Sequence, residues 1–261
     1  MAVLLVMGGA AGTGILRRFV SLAGGPAASV VVIATASERP DELEAWYTSV
    51  FAELGAGSVS SLRIETRAQA NDPAVAAALS AATGVFFTGG DQLRITTIIG
   101  GTLTDSVLQS LVGCGSVVLA GTSAGAAMMS GTMIVGGHGY GVTTGPGLEF
   151  LPGVLIDMHF AERGRLNRLL SAVARYPHEL GLGIDEDTAI LADAEHFEVL
   201  GSGSVTVVDA GCASDIRVPA DGPIALAGAR IHVLPAGHRF DLTGRRPSPA
   251  GAAAEERGRA A

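Results

Sequence analysis

The chain has 261 residues, 48% of them hydrophobic, and a formal net charge of −8. That length and apolar content suit one large packed domain and exclude a disordered or fibrous chain. The acidic balance argues against nucleic acid and anionic membranes as general partners. All 17 basic residues are arginine, which excludes a lysine nucleophile or Schiff base.

In chain order, residues 2–7 are apolar but lack a positive leader and run at once into Gly8-Gly9. They read as a buried first strand rather than a signal peptide. Apolar runs at 30–34, 84–88 and 116–120 read as further strands, and their lack of alternation predicts a sheet covered on both faces. Between them, 40–54 and 73–82 each open on proline and read as helices, followed by helical segments at 92–103 and 105–112. This order predicts a doubly wound, mostly parallel α/β sheet. Residues 136–147 are glycine-rich with no evident element. A strand at 154–156 and an amphipathic helix at about 162–175 come next, its apolar stripe being Leu166, Leu169, Leu170 and Val173. Short runs at 182–184, 188–191, 197–200, 205–208 and 231–234 then predict an antiparallel β extension of the sheet. Residues 1–244 are expected to form a single domain, with 245–261 a frayed tail. No segment has the roughly 18–20 apolar residues of a membrane span, so the cytoplasm is the expected compartment. Cys114 and Cys212 form no disulfide framework, and the six histidines show no zinc-type spacing, so no metal is expected.

The strongest chemical signal is Gly121-Thr122-Ser123-Ala124-Gly125, placed after a buried strand and before a small-residue helix. A sharp strand-to-helix turn of this kind presents the serine as a nucleophile. The Ala124 N–H is then an oxyanion donor, and the helix end favours the developing negative charge. A phosphate cradle or a purely structural glycine turn is the competing reading. Thr88-Gly89-Gly90-Asp91-Gln92 closes the neighbouring strand. Gly90 and Asp91 are candidates for a second oxyanion N–H, and Gln92 for a substrate contact. The first glycine loop, 8–14, has neither dinucleotide nor P-loop spacing.

A serine hydroxyl needs a base. His159, at a strand end, is best placed, with His138 in reserve; His178 reads as a surface residue, and His196, His232 and His238 lie in the late β region. The run Asp185-Glu186-Asp187 follows a short apolar strand, and Glu186 is a candidate to support the imidazolium. Three adjacent carboxylates need hydrogen-bonding or cationic partners, and a solvated acidic turn is the plainer reading. Arg165 and Arg168 share a helix face, with Arg163 and Arg175 nearby. That cluster suits carboxylate recognition, or is simply a solvated face.

Four blocks together resemble the cyanophycinase family of serine peptidases, related to the aspartyl dipeptidases, over roughly residues 4–234. They are Phe87-Thr88-Gly89-Gly90-Asp91-Gln92-Leu93, Gly121 to Ala126, Asp157-Met158-His159-Phe160 with Arg163, Arg165, Leu166 and Arg168, and Gly183 to Ala189. The resemblance implies a flavodoxin-like fold, akin to class I glutamine amidotransferases. It implies a Ser123, His159, Glu186 triad and hydrolysis of cyanophycin, an arginyl-substituted poly-aspartate, to β-Asp-Arg dipeptides. It implies a homodimer that uses no cofactor, with Gln92, Asp157, Arg163, Arg165 and Arg168 touching the peptide substrate. Asp157 would meet the substrate's guanidinium or amine. The chain departs from the pattern at Met158, commonly glutamine in the family, at Ala161-Glu162, and in the first loop, which lacks an acidic-lysine ending. These departures point toward an aspartyl or isoaspartyl dipeptide as the alternative substrate. A non-catalytic ligand-binding protein is the third reading.

Overall fold

The computed structural model describes residues 3–138, 141–219 and 222–250. The first half supplies β1 (Val3–Met7), α1 (Thr13–Leu22), β2 (Ser29–Ile33), α2 (Pro40–Glu53), β3 (Ser58–Ser61), α3 (Arg67–Ala70), α4 (Pro73–Ser80), β4 (Gly84–Phe87), α5 (Gln92–Ile99), α6 (Leu103–Cys114), β5 (Val118–Thr122) and α7 (Ala124–Ala127). The second half supplies β6 (Thr132–His138), β7 (Gly141–Pro146), β8 (Val154–Met158), α8 (Leu166–Arg175), β9 (Leu180–Ile184), β10 (Thr188–Ala192), β11 (His196–Gly201) and β12 (Ser204–Asp209). Then follow β13 (Asp215–Arg217), β14 (Ala225–Ala227), β15 (Arg230–Pro235), β16 (Arg239–Asp241) and β17 (Arg246–Ser248).

The main sheet has the order β17-β16-β11-β10-β1-β5-β4-β2-β3. From β1 to β3 its neighbours run parallel, and from β1 to β17 they run antiparallel. The apolar runs of β1 and β2 bury alternate residues on opposite faces. Leu5, Met7, Val30 and Val32 pack with α1 and α2 residues such as Phe19 and Phe51. Leu4, Val6, Val31 and Ile33 face Leu79, Ile95, Ile99 and Leu108 of α4 to α6. Both faces are therefore apolar, which is why no period-2 pattern shows in the sequence.

A second sheet, β15-β12-β9-β8, joins the core on one face through Ile156, Leu182 and Val205. Its other face takes α8 through Leu169, Ala172 and Val173. This sheet corrects the expectation of one continuous extension. Only β10, β11, β16 and β17 extend the main sheet; β8 and β9 pair parallel to each other elsewhere. Which strands pair is a non-local property that runs of apolar residues do not encode.

Other differences have local causes. The glycine-rich stretch contains the β6–β7 hairpin, bulged between Ile134 and Gly136; glycine removes the side chains whose alternation would mark a strand. Helix α1 opens without a sequence signal, because Gly12 caps it without a side-chain hydrogen bond. The stripe of α8 omits Leu166, which is exposed. The tail is not frayed from 245. Arg245 bonds Asp209 and the His178 carbonyl, and β17 pairs with β16; residues 251–261 lie outside the described residues. Cys114 and Cys212 are free and exposed. Among the described residues no helix is long and apolar enough to cross a membrane.

Candidate active site

Ser123 leaves the end of β5 with φ 52° and ψ −110°, in the left-handed region that costs a non-glycine residue about 1–3 kcal/mol. The surrounding backbone holds it there. Its N–H donates to the Met7 carbonyl at 3.1 Å. The two glycines of the motif let strand, helix and neighbouring loop touch. A side-chain carbon on Gly121 would meet the Gly125 oxygen at 2.2 Å, and one on Gly125 would meet the Phe87 oxygen at 2.4 Å. Helix α7 has only four residues. The expected help from a helix dipole is therefore small, and any oxyanion stabilisation rests on individual N–H groups.

His159 follows β8 and Glu186 follows β9, adjacent parallel strands of the second sheet. The imidazole Nε2 lies 3.0 Å from Ser123 Oγ, and Nδ1 lies 2.6 Å from Glu186 Oε1. With Nδ1 protonated, the ring donates to the carboxylate and accepts from the hydroxyl. Side-chain exposure falls from 36% at Glu186 to 13% at His159, so the imidazole is largely dry and the acid half open.

The first glycine loop, which carried no assigned role, seats this pair. The His159 N–H donates to the Gly8 carbonyl at 2.8 Å, and the Asp187 N–H to the Gly9 carbonyl at 3.0 Å. Gly9 has φ 123°, and a side-chain carbon there would stand 2.2 Å from His159 Cε1. A Gly-Gly pair at the end of a buried strand was the available signal, and it marks close approach by a ring rather than by a nucleotide.

Of the proposed oxyanion donors, the Ala124 and Gly90 N–H groups have no backbone or side-chain acceptor among the described residues. Asp91 does not fit this role. Its N–H donates to the Ala36 carbonyl at 2.9 Å, and its carboxylate caps α5 by accepting from the Leu93 N–H. Gly89 passes close to the serine: a side-chain carbon built there would lie 3.9 Å from Oγ. The Gln92 amide donates to the Ile134 carbonyl at 2.9 Å and so braces β6.

The three carboxylates diverge. Asp185 accepts from the Ala161 N–H and from the Ser204 N–H and hydroxyl. Asp187 accepts from the Gly12 N–H and the Ser202 hydroxyl. Glu186 alone turns to the imidazole. The reserve base His138 lies on β6, and its side chain falls outside the described residues.

The substrate-contact set needs a larger correction. Asp157 is 0% exposed, and its carboxylate is taken up by arginines of the chain itself. Arg168 grips it with two hydrogen bonds, one from Nε at 2.9 Å, and Arg165 adds a third contact at 3.3 Å. Arg165 also donates to the Met158 carbonyl at 2.5 Å. Burial pushes the Arg165 guanidinium below its ordinary range, and the nearby Arg168 and Arg163 add to that, while Asp157 opposes it. Charge count alone hid this, because a buried acid with its own cations reads in sequence like a binding cluster. Arg163 is exposed and makes no ion pair or side-chain hydrogen bond among the described residues. No cluster of three or more His, Cys, Asp or Glu that could hold a metal occurs among the described residues.

A hydroxyl, an imidazole and a carboxylate aligned in this way at strand ends can carry out nucleophilic acyl transfer, the constellation of a serine hydrolase. The chain belongs to peptidase family S51, whose family model matches residues 4–200. It is 41% identical to the cyanophycinase of Trichormus variabilis, over 94% of this chain and 87% of that one. It is 39% identical to the cyanophycinase of Geminocystis herdmanii, over 93% and 94%. It is 38% identical to that of Synechococcus elongatus, over 88% and 75%. Its fold matches a crystal structure of a peptidase from an acI-B1 actinobacterium, with TM-score 0.68 and 20% identity over 92% of this chain and 97% of that one. A putative peptidase E protein from Listeria monocytogenes also shares the fold, at TM-score 0.55 and 16% identity over 77% and 98%.

Proposed function

We propose that this peptidase is a serine exopeptidase that cleaves cyanophycin, multi-L-arginyl-poly-L-aspartate, to β-Asp-Arg dipeptides. Ser123 attacks the backbone carbonyl as its proton passes to His159 Nε2. Glu186 stabilises the resulting imidazolium, and the Ala124 and Gly90 N–H groups face the oxyanion. His159 then protonates the leaving amine, and water releases the acyl group by the reverse proton path. None of these steps calls for a metal or an organic cofactor. The observation that carries the proposal is the His159 bridge, 3.0 Å to Ser123 and 2.6 Å to Glu186, in a chain about 40% identical to named cyanophycinases. We also assign the parallel strands to a flavodoxin-like scaffold. The run β3-β2-β4-β5 supports this, with the N-terminal β1 in the fifth place. A cytoplasmic homodimer with one hydrolytic domain, running through β17 rather than ending at 244, completes the proposal, and sedimentation of the purified chain tests the dimer.

Ser123→Ala assayed on purified cyanophycin tests the reaction. Dipeptide release, followed by mass spectrometry, is expected to vanish while the fold persists. Release at the wild-type rate would reject the nucleophile. The second reading, an aspartyl or isoaspartyl dipeptidase, is favoured by one observation. Asp157, Arg165 and Arg168 close on one another, leaving Arg163 as the cation of the proposed set with a free guanidinium among the described residues. Relative kcat/KM on cyanophycin, β-Asp-Arg and α-aspartyl dipeptides separates the two.

A further inference from the structure

The loop that carries Glu186 is pinned from three directions through three consecutive backbone N–H groups. The Asp185 N–H donates to the Ser204 carbonyl of β12 at 3.3 Å, and the Asp187 N–H to the Gly9 carbonyl after β1 at 3.0 Å. Between them, the Glu186 N–H donates to the Glu162 carboxylate, 3.2 Å from each oxygen. Two of these anchors are main chain. Glu162 is the one side chain among them.

Glu162 also belongs to the turn that carries the base. That turn is closed on itself: the Arg163 N–H donates to the His159 carbonyl at 3.1 Å, and the Arg165 N–H to the Phe160 carbonyl at 3.0 Å. From the same turn, the Ala161 N–H reaches back to Asp185 Oδ1 at 3.1 Å. A circuit results. It runs from the His159 ring to the Glu186 carboxylate, along Glu186 to its own N–H, across to Glu162, and back through three residues to His159. Each link is a hydrogen bond or a covalent segment, so the separation of imidazole and carboxylate is set on both sides.

We propose that Glu162 is a positioning residue for the hydrolysis: it holds the Glu186 main chain in the register that puts its carboxylate on His159 Nδ1. The inference rests on the Ser123–His159–Glu186 reading given above. Half-open and on a loop, Glu186 has little packing to orient it, and a single charge-assisted bond to its N–H does that work. The role depends on reach more than on charge. Glutamine keeps an acceptor oxygen at the same distance, whereas aspartate keeps the charge but is one methylene short.

The test is steady-state hydrolysis of purified cyanophycin by Glu162→Ala, Glu162→Gln and Glu162→Asp, with Ser123→Ala as control and Tm measured for each. The expected result is a kcat about 10-fold lower in the alanine and aspartate variants at unchanged KM, since misplacing a catalytic group lowers kcat without loosening binding. Glutamine is expected to restore kcat to within about 3-fold of wild type. Tm should move little in any of them, because the site is exposed. Wild-type kcat in the alanine variant, with Ser123→Ala inert, overturns the inference and leaves the triad standing. A kcat loss that tracks a fall in Tm, with no rescue by glutamine, overturns it as well. An active Ser123→Ala overturns the underlying reading instead. If the alanine variant fails to fold, the glutamine and aspartate pair decides.

Discussion

The two halves of the site are held by different forces. On the main sheet, the serine is fixed by close packing: strand, turn and short helix approach so nearly that Gly121 and Gly125 admit no side chain. On the second sheet, the base and acid are fixed by hydrogen bonds from polar loops that donate to and accept from one another. Packing leaves one solution for Ser123. The polar half is more open to adjustment, and its Asp157 cluster stabilises the strand that delivers His159. Damage to the first half should therefore act through sterics, and damage to the second through unpaired charges or lost orientation.

That contrast can be broken or sharpened by substitution. The largest expected effect on stability is at Asp157. Its removal leaves Arg165 and Arg168 buried without their anion, which typically costs about 3–5 kcal/mol. Urea unfolding of Asp157→Ala should show that loss. A change under about 1 kcal/mol would mean that the arginines find water or another partner. Next comes Gly125→Ala, where the added methyl meets the Phe87 oxygen. Overpacking of this kind costs about 1–3 kcal/mol and should shift Ser123 enough to lower kcat as well. Gly9→Ala should cost a similar amount through backbone strain, because φ is 123° there, although its main contact is a ring that can swing. Its kcat should fall by about 100-fold as the imidazole leaves Ser123. The smallest effect is expected at exposed Arg163. Its alanine variant should raise KM on cyanophycin by a few-fold at unchanged kcat, as expected for a solvated ion pair worth roughly 1 kcal/mol or less.

Much of the first half was legible in the sequence. A buried strand followed by Gly-x-Ser-x-Gly is a local pattern, and local patterns survive in one dimension. His159 and Glu186 were legible as residue types at strand ends, and the family resemblance ordered them. Their support was not. The Asp157–Arg168 pair, the Ala36 carbonyl that takes the Asp91 N–H, and the seat that Gly9 makes for His159 all join residues far apart in the chain. The division into two sheets was hidden for the same reason. Glu162, noted in the sequence only as a departure from a pattern, gains its meaning from a backbone N–H 24 positions away.

The central claim is that Ser123 is a nucleophile activated by His159. Reaction with a fluorophosphonate, followed by peptide mapping and timed labelling, tests it most directly. One adduct per chain on Ser123 is expected, with labelling slower by about 1,000-fold or more in His159→Ala. An adduct on another residue, or labelling of Ser123 at the same rate without His159, would contradict it.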